Sequence, residues 1–223
     1  MKVFIRGEFT HSVLADAAAR KRGDLQAELY NVISKHLHPP LALETLVRSR
    51  VERWTRAGLV TVPQGIAARR AERTLARIRN TCPPCVVWAV VRTWFNGWCT
   101  HRRFQDRRRN SCLLSCDCGG EDSIEHYLRC AVVRQVAVQK LRLEHILQDP
   151  GYLLLLDGGY DDDSSIALAA SLLYGVYSAT NQLRHHACHV SGEVGAQTLW
   201  CAIRKAGLQS RRLAGILKEI WAT

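Results

Sequence analysis

One stretch constrains this chain more than any other: Cys112 to Cys130, CLLSCDCGGEDSIEHYLRC. Cys112 and Cys116 are separated by three residues, a Gly119-Gly120 turn follows, and His126 and Cys130 then stand four positions apart. The spacing predicts a Cys-Cys-His-Cys zinc site. Asp122 followed three residues later by Glu125 reads as a capping box, so a helix should begin near Ser123 and carry His126 and Cys130 on one face. The glycines let the loop with Cys112 and Cys116 fold back over that helix start, completing the tetrahedral set that zinc accepts. Four protein ligands leave no open position, which makes the site structural. Cys118 is the alternative second ligand, because Cys116 and Cys118 together would form a tight one-residue chelate; Cys116 is preferred. The competing account is a group of buried reduced cysteines beside a surface histidine, since cysteine also packs as a small hydrophobe.

The setting favours metal over disulfides. The nine cysteines are odd in number, the first residues carry no secretory pattern, and no segment approaches ~18 uninterrupted apolar residues. The expectation is an intracellular, nuclear protein that neither is secreted nor enters a membrane. Charge supplies the second clue. The net charge is +11, but residues 1–110 hold 21 Lys and Arg against 8 Asp and Glu, while the remainder hold 10 against 12. Such a field suits a polyanion, of which nucleic acid is the commonest, although a solvated basic face needs no partner at all.

Apolar periodicity predicts helices over residues 11–37, 41–57 and 63–79. In the second, Arg48, Arg50, Arg53 and Arg56 fall largely opposite an apolar stripe; in the third, Arg69, Arg70, Arg73, Arg77 and Arg79 do so. Two basic helix faces could follow a phosphate backbone. Thr81 to Asn110, TCPPCVVWAVVRTWFNGWCTHRRFQDRRRN, is the second unusual stretch. Pro83 and Pro84 suit a helix start, and Val86 through Trp98 surround the axis, predicting a buried helix. Gly97 inside it costs about 1 kcal/mol relative to Ala, offset by close packing of a neighbour such as the zinc helix. Arg102, Arg103, Arg107, Arg108 and Arg109 then run straight into Cys112 and form the best phosphate-contacting segment. Trp98 and Phe104 suit the core better than base stacking.

Other motifs carry less. Cys82 and Cys85 form a CxxC at a helix start, without the βαβ context of a thiol redox pair. His185, His186, Cys188 and His189 read as a polar helix end rather than ligands. Tyr160-Asp161-Asp162-Asp163 matches the Tyr-x-Asp-Asp of polymerases, but lacks flanking strands, so capping explains its carboxylates. Beyond the zinc motif, a helix is predicted from Ser123 to Leu147. Tyr152 to Leu156 is a strand or helical turn, Asp163 or Ser164 caps a helix from Ile166 to about His189, and two shorter helices cover 193–206 and 210–221.

Read together, PPCVVWAVVRTWFNGWCTHRRFQ, CLLSC, DSIEHYLRC and LLYGVYSATNQLR resemble the C-terminal region of reverse transcriptases from non-LTR (LINE-type) retroelements. The resemblance covers residues 80–184. It implies that Cys112, Cys116, His126 and Cys130 bind zinc and that Arg102 to Arg109 belong to a nucleic-acid surface. The chain departs from the family in a longer Cys-to-Cys gap, in the Asp117-Cys118 insertion, and in having no polymerase palm before the knuckle and no endonuclease motif after it. The expectation is a mostly α, irregular multi-helix assembly whose knuckle joins a long helix. Its regions would be 1–80 (basic, helical), 81–150 (buried helix and knuckle) and 151–223 (C-terminal helices). Its expected role is a non-enzymatic, zinc-stabilised module for RNA or DNA with no small-molecule substrate. Rival readings are a helical protein-interaction scaffold, a thiol-exchange enzyme using Cys82 and Cys85, and a non-functional retroelement remnant.

Overall fold

A computed structural model describes residues 43–61, 63–104, 111–156, 162–185 and 190–222, all within one compact unit, Ala42–Thr223. The helix expected over 11–37 lies outside the described residues. The protein is mostly helical, with no strand among the described residues. In order come α1 (Leu43–Arg56), α2 (Gln64–Thr81), α3 (Pro84–Trp94), the single turns α4 (His101–Phe104) and α5 (Ile124–Tyr127), α6 (Ala131–Leu141) and the turn α7 (His145–Gln148). A 3-10 turn (Pro150–Leu154), α8 (Asp163–Arg184), α9 (Gly192–Gly207) and α10 (Arg211–Ala222) complete it. No described helix is long and apolar enough to cross a membrane.

The central element is α8, which packs against α2, α3, α6, α9 and α10. Apolar or small residues occupy every side of most of its length, and a helix apolar all round must be covered all round. Ala167, Ala169, Ala170, Ser171, Gly175 and Ala179 keep its surface slim. A Cβ on Gly175 would sit 2.6 Å from Ile203 Cγ1, so α9 approaches as closely as it does only because that side chain is missing. Asp162, rather than Asp163 or Ser164, caps the helix: its carboxylate accepts from Ser165 N at 2.6 Å and Ser165 Oγ at 3.1 Å. That hydrogen bonding holds the Asp162 carboxyl below the usual range, and Asp163 pairs with Arg77. Of the polymerase-like tetrad, Asp162 and Asp163 thus serve helix and ion pair; Tyr160 and Asp161 lie outside the described residues.

The helix expected to be buried, α3, differs in two ways. It starts at the prolines as anticipated but stops at Trp94, and Trp88 is 62 % exposed. Gly97 is not inside a helix. Asn96 takes a left-handed φ of 55°, Gly97 N donates to Arg92 O at 2.6 Å, and Asn96 N donates to Thr93 O at 3.1 Å. That pattern is a Schellman stop, with Asn as the left-handed residue. The chain doubles back, so Trp98 packs beside α3 instead of continuing it. Its Nε1 donates to Thr93 Oγ1 at 2.9 Å, and its ring meets Tyr127 and Tyr177 at 6.1 and 5.6 Å. Trp98 is core, as the sequence suggests.

The apolar run 152–156 is buried as the 3-10 turn and its exit, with Leu155 at φ 60°. Its C-terminal carbonyls find side-chain donors: Trp94 Nε1 to Leu154 O at 2.8 Å, Thr74 Oγ1 to Leu155 O at 3.2 Å, and Arg70 Nη1 to Leu156 O at 3.5 Å. Buried carbonyls need such partners.

Candidate metal centre

Local backbone conformation shapes the knuckle. Ser111 and Glu121 form an antiparallel bridge, and Cys112 N donates to Gly120 O at 2.8 Å, closing the loop at its base. Inside it, Ser115, Asp117 and Gly119 all take left-handed φ values, and Gly119 alone does so without steric cost. Ser123 is the N-cap of α5, its Oγ accepting from His126 N at 3.1 Å; the Asp122–Glu125 capping box expected from the sequence is absent. The long helix expected over 123–147 is also broken. After α5 a turn leads to Cys130, an extended residue (φ −61°, ψ 131°) that begins α6, and α6 ends where Arg142 turns left-handed at φ 55°. His126 and Cys130 therefore converge through a turn and a new helix start rather than along one helix face.

The four side-chain donors of Cys112, Cys116, His126 and Cys130 lie within 4.8 Å of one another. Cys112 Sγ is 3.8 Å from Cys130 Sγ, and Cys116 Sγ is 3.4 Å from His126 Nε2. An ion held at ~2.3 Å from sulfur and ~2.0 Å from nitrogen at tetrahedral angles separates two sulfurs by ~3.8 Å and sulfur from nitrogen by ~3.5 Å. Those two edges match that figure, so these residues can hold a metal ion, and the donor set is compatible with zinc. Cys118 Sγ reaches 3.6 Å from the same His126 Nε2, and the Cys116 and Cys118 sulfurs are joined as a disulfide. Ligation through Cys116 requires that link to be reduced. Cys118 is exposed and Cys116 half-buried, which agrees with Cys116 as the preferred ligand.

Cys112 and Cys130 share a hydrogen bond that, with burial, pushes the Cys112 thiol up; the same bond, helped by nearby His126, pulls Cys130 down. The downward push on Cys130 favours its thiolate, the form that ligates a cation. Gly120 lies against the imidazole. A Cβ there would fall inside the van der Waals envelope of His126 Nδ1 and Cε1. Gly120→Ala should therefore displace the ring and cost about 10- to 100-fold in metal affinity, the range found when a ligand's support is removed. Competition against a chromogenic chelator measures it, and affinity equal to the wild type would refute the packing argument.

Behind the ligands lies a polar hub that sequence reasoning missed. Asp122, 2 % exposed, accepts from His101 N at 2.7 Å, Tyr127 Oη at 2.8 Å and Arg184 Nη2 at 2.7 Å. Tyr127 Oη in turn accepts from Leu113 N at 3.3 Å. Burial, with the Asp122 carboxylate alongside, holds the phenol well above its ordinary pKa and therefore protonated. Arg184 closes α8, so the DSIEHY and QLR segments meet across this carboxylate. The signal was present as an Asp directly before a Ser cap, leaving the Asp free for another task.

The proposed nucleic-acid residues fare unevenly. Arg69 and Arg73 are exposed on α2, whereas Arg70 is half-buried and turned to Leu156 O. Arg103 is exposed in α4, its Nη1 donating to Trp98 O at 3.4 Å. Arg107, Arg108, Arg109 and the side chain of Arg102 lie outside the described residues. Arg50 does not share the solvent face of α1. It is 8 % exposed, lies 5.0 Å over the Trp54 ring, and donates to Asn96 Oδ1 at 3.0 Å. Cys82 is buried, donates to Ala167 O, and has its thiol pushed up to about 12 by burial, opposite to the direction thiol exchange requires. His185 is exposed at the end of α8, and His186, Cys188 and His189 lie outside the described residues. Comparison of the chain with protein-family models, with curated proteins and with solved structures finds no match.

Proposed function

We propose that this protein is a zinc-stabilised nucleic-acid-binding module akin to the C-terminal tail of a LINE-type reverse transcriptase, acting on RNA or DNA inside the cell and in the nucleus. One observation carries the reading: the arginine-rich approach segment is pinned to the knuckle at both ends. His101 N bonds Asp122 at the near end, and Ser111 bridges Glu121 at the far end. The two anchors are adjacent in sequence, so whatever orders the knuckle also fixes both flanks of the stretch that carries Arg102, Arg103, Arg107, Arg108 and Arg109. Four protein donors make the metal's role structural rather than catalytic. Guanidinium groups then bind phosphates, positioning a strand without reading its bases.

The test is fluorescence anisotropy with labelled single-stranded RNA and duplex DNA across a salt series. Changing Arg102, Arg103, Arg107 and Arg108 together to Ala should weaken binding by about 10-fold or more. For a single strand it should also flatten the salt slope by about 3, from roughly 0.7 for each phosphate no longer neutralised. Unchanged affinity and slope would remove the proposal. A protein-interaction scaffold has its own supporting observation. Trp200 and Trp221 meet edge to face at 5.4 Å, with Trp221 half exposed and Leu208 almost fully so. Negligible affinity for every nucleic acid would leave that reading in its place.

A further inference from the structure

A polar cleft of about 220 Å³ opens beside the knuckle, lined by Arg53, Asn96, Thr100, Arg103 and Glu125. These residues come from α1, the Schellman stop after α3, the start of α4, and α5. No sequence motif joins them. At roughly 30 Å³ per water the cleft has room for a phosphate group and several waters.

Its walls carry a definite charge pattern. Glu125 is the one carboxylate among the described lining residues, and it is shared between Arg50 Nη2 at 3.5 Å and Arg53 Nε at 3.6 Å. That shared carboxylate orients two guanidinium groups at the cleft wall. Among the described lining residues two cations, Arg53 and Arg103, stand with one anion, and Arg50 backs the wall from behind Glu125. Asn96 Oδ1 accepts from Arg50, which makes the amide NH2, a donor, the other end of that group. Thr100 adds a hydroxyl that also caps α4 by accepting from Arg103 N at 3.4 Å. Forked donors beside neutral amide and hydroxyl groups suit a phosphate's several acceptor oxygens.

We infer that this cleft binds one backbone phosphate of a nucleic-acid strand. The inference rests on the nucleic-acid reading above and adds to it residues outside the run: Arg53, Asn96 and Thr100, with Arg50 and Glu125 as positioning residues. A strand is favoured over a lone phosphate because described cations continue beyond the cleft along α1. Arg48 and Arg56 are exposed on the same helix as Arg53, and Arg103 is exposed in α4. Glu125 adjoins the ligand His126, so the cleft is assembled by the same turn that holds the metal.

The experiment uses the full chain loaded with zinc and a labelled single-stranded RNA 20-mer, read by anisotropy over a salt series. Arg53→Ala should lower affinity about fivefold at ~0.1 M salt and reduce the salt slope by about 0.7, as expected when one phosphate is no longer neutralised. Asn96→Asp puts a carboxylate into the cleft at a left-handed position that Asp tolerates, and it should weaken binding similarly while leaving thermal unfolding unchanged. Polyglutamate should displace the RNA only at far higher charge concentration than unlabelled RNA does. Wild-type affinity and slope in both variants, with the quadruple arginine variant still weakened, would overturn the cleft and leave the module's proposed function standing. No salt-dependent RNA binding by the wild-type chain would overturn both, and equal displacement by polyglutamate would transfer the cleft to an acidic protein.

Discussion

Replacing His126 with Ala, or Cys130 with Ser, is expected to abolish stoichiometric zinc binding and lower the melting temperature of the purified, reduced protein by about 10 °C or more. The magnitude follows from linkage. A ligand at 1,000 times its Kd adds about 4 kcal/mol to the native state, and in a domain of this size each kcal/mol moves the midpoint by roughly 2 to 4 °C. The unit should lose order around the ligands rather than unfold outright, because Leu114, Ile124, Tyr127 and Leu128 are packed into the common apolar core without help from the ion. A strong chelator should reproduce the shift in the wild type and leave the His126 variant unmoved. Cys118→Ser should retain one zinc per chain, whereas Cys116→Ser should not. Metal analysis with calorimetry decides the matter, and full zinc content in the His126 variant would dismantle the proposed site.

The second large effect is expected at Asp122. Truncation to Ala strips the acceptor from three donors at once: the His101 amide, the Tyr127 hydroxyl and the Arg184 guanidinium. Removing one partner of a fully buried charge pair costs about 3 to 5 kcal/mol, and because the Arg184 side chain is 23 % exposed the loss should fall at or below about 3 kcal/mol. Asn should be milder, keeping one oxygen but losing the charge that holds Arg184. Arg56 and Glu52 offer the contrast: their side chains are 74 % and 53 % exposed, and breaking that pair should cost no more than about 0.5 kcal/mol. Urea denaturation of zinc-loaded protein measures all three. An Asp122→Ala loss below about 1 kcal/mol would mean that the hub is not a structural centre.

The sequence announces some of this architecture and hides the rest for identifiable reasons. The grouping of Cys112, Cys116, His126 and Cys130 was legible because they are chemically unusual residues at unusual spacing. Helices α1, α2, α9 and α10 were legible from apolar rhythm, with ends within a few residues of those found. The route between His126 and Cys130 was misread, since a four-residue gap suits one helical face as well as it suits a turn followed by a new helix. Periodicity also misplaced the buried helix. The Val and Trp residues of α3 outshout the Ala, Ser and Gly of α8, yet a slim helix is the one that several neighbours can surround. Gly97 looked like a defect in a long helix because the Schellman stop depends on Asn96, a residue that signals a left-handed turn less strongly than glycine. Arg50 was placed with the solvent-facing arginines of α1, as helical position alone suggests, but its partners come from segments 46 and 75 residues away. The cleft was invisible for the same reason: it exists only where four separate elements meet.

The glycines at the start of α9 carry a last consequence. A Cβ on Gly195 would come within 2.5 Å of Leu114 O and one on Gly192 within 2.9 Å of Ser115 O, so the ligand loop lies directly on the first turn of that helix. Two regions far apart in the chain thus share a seam with no side chain to cushion it. Thermodynamic reciprocity then applies: if the ion stiffens the loop and thereby seats the helix, seating the helix must tighten the grip on the ion by the same factor. A partner that clasps the carboxyl-terminal helices would be felt, at one remove, as a change in how readily the metal leaves.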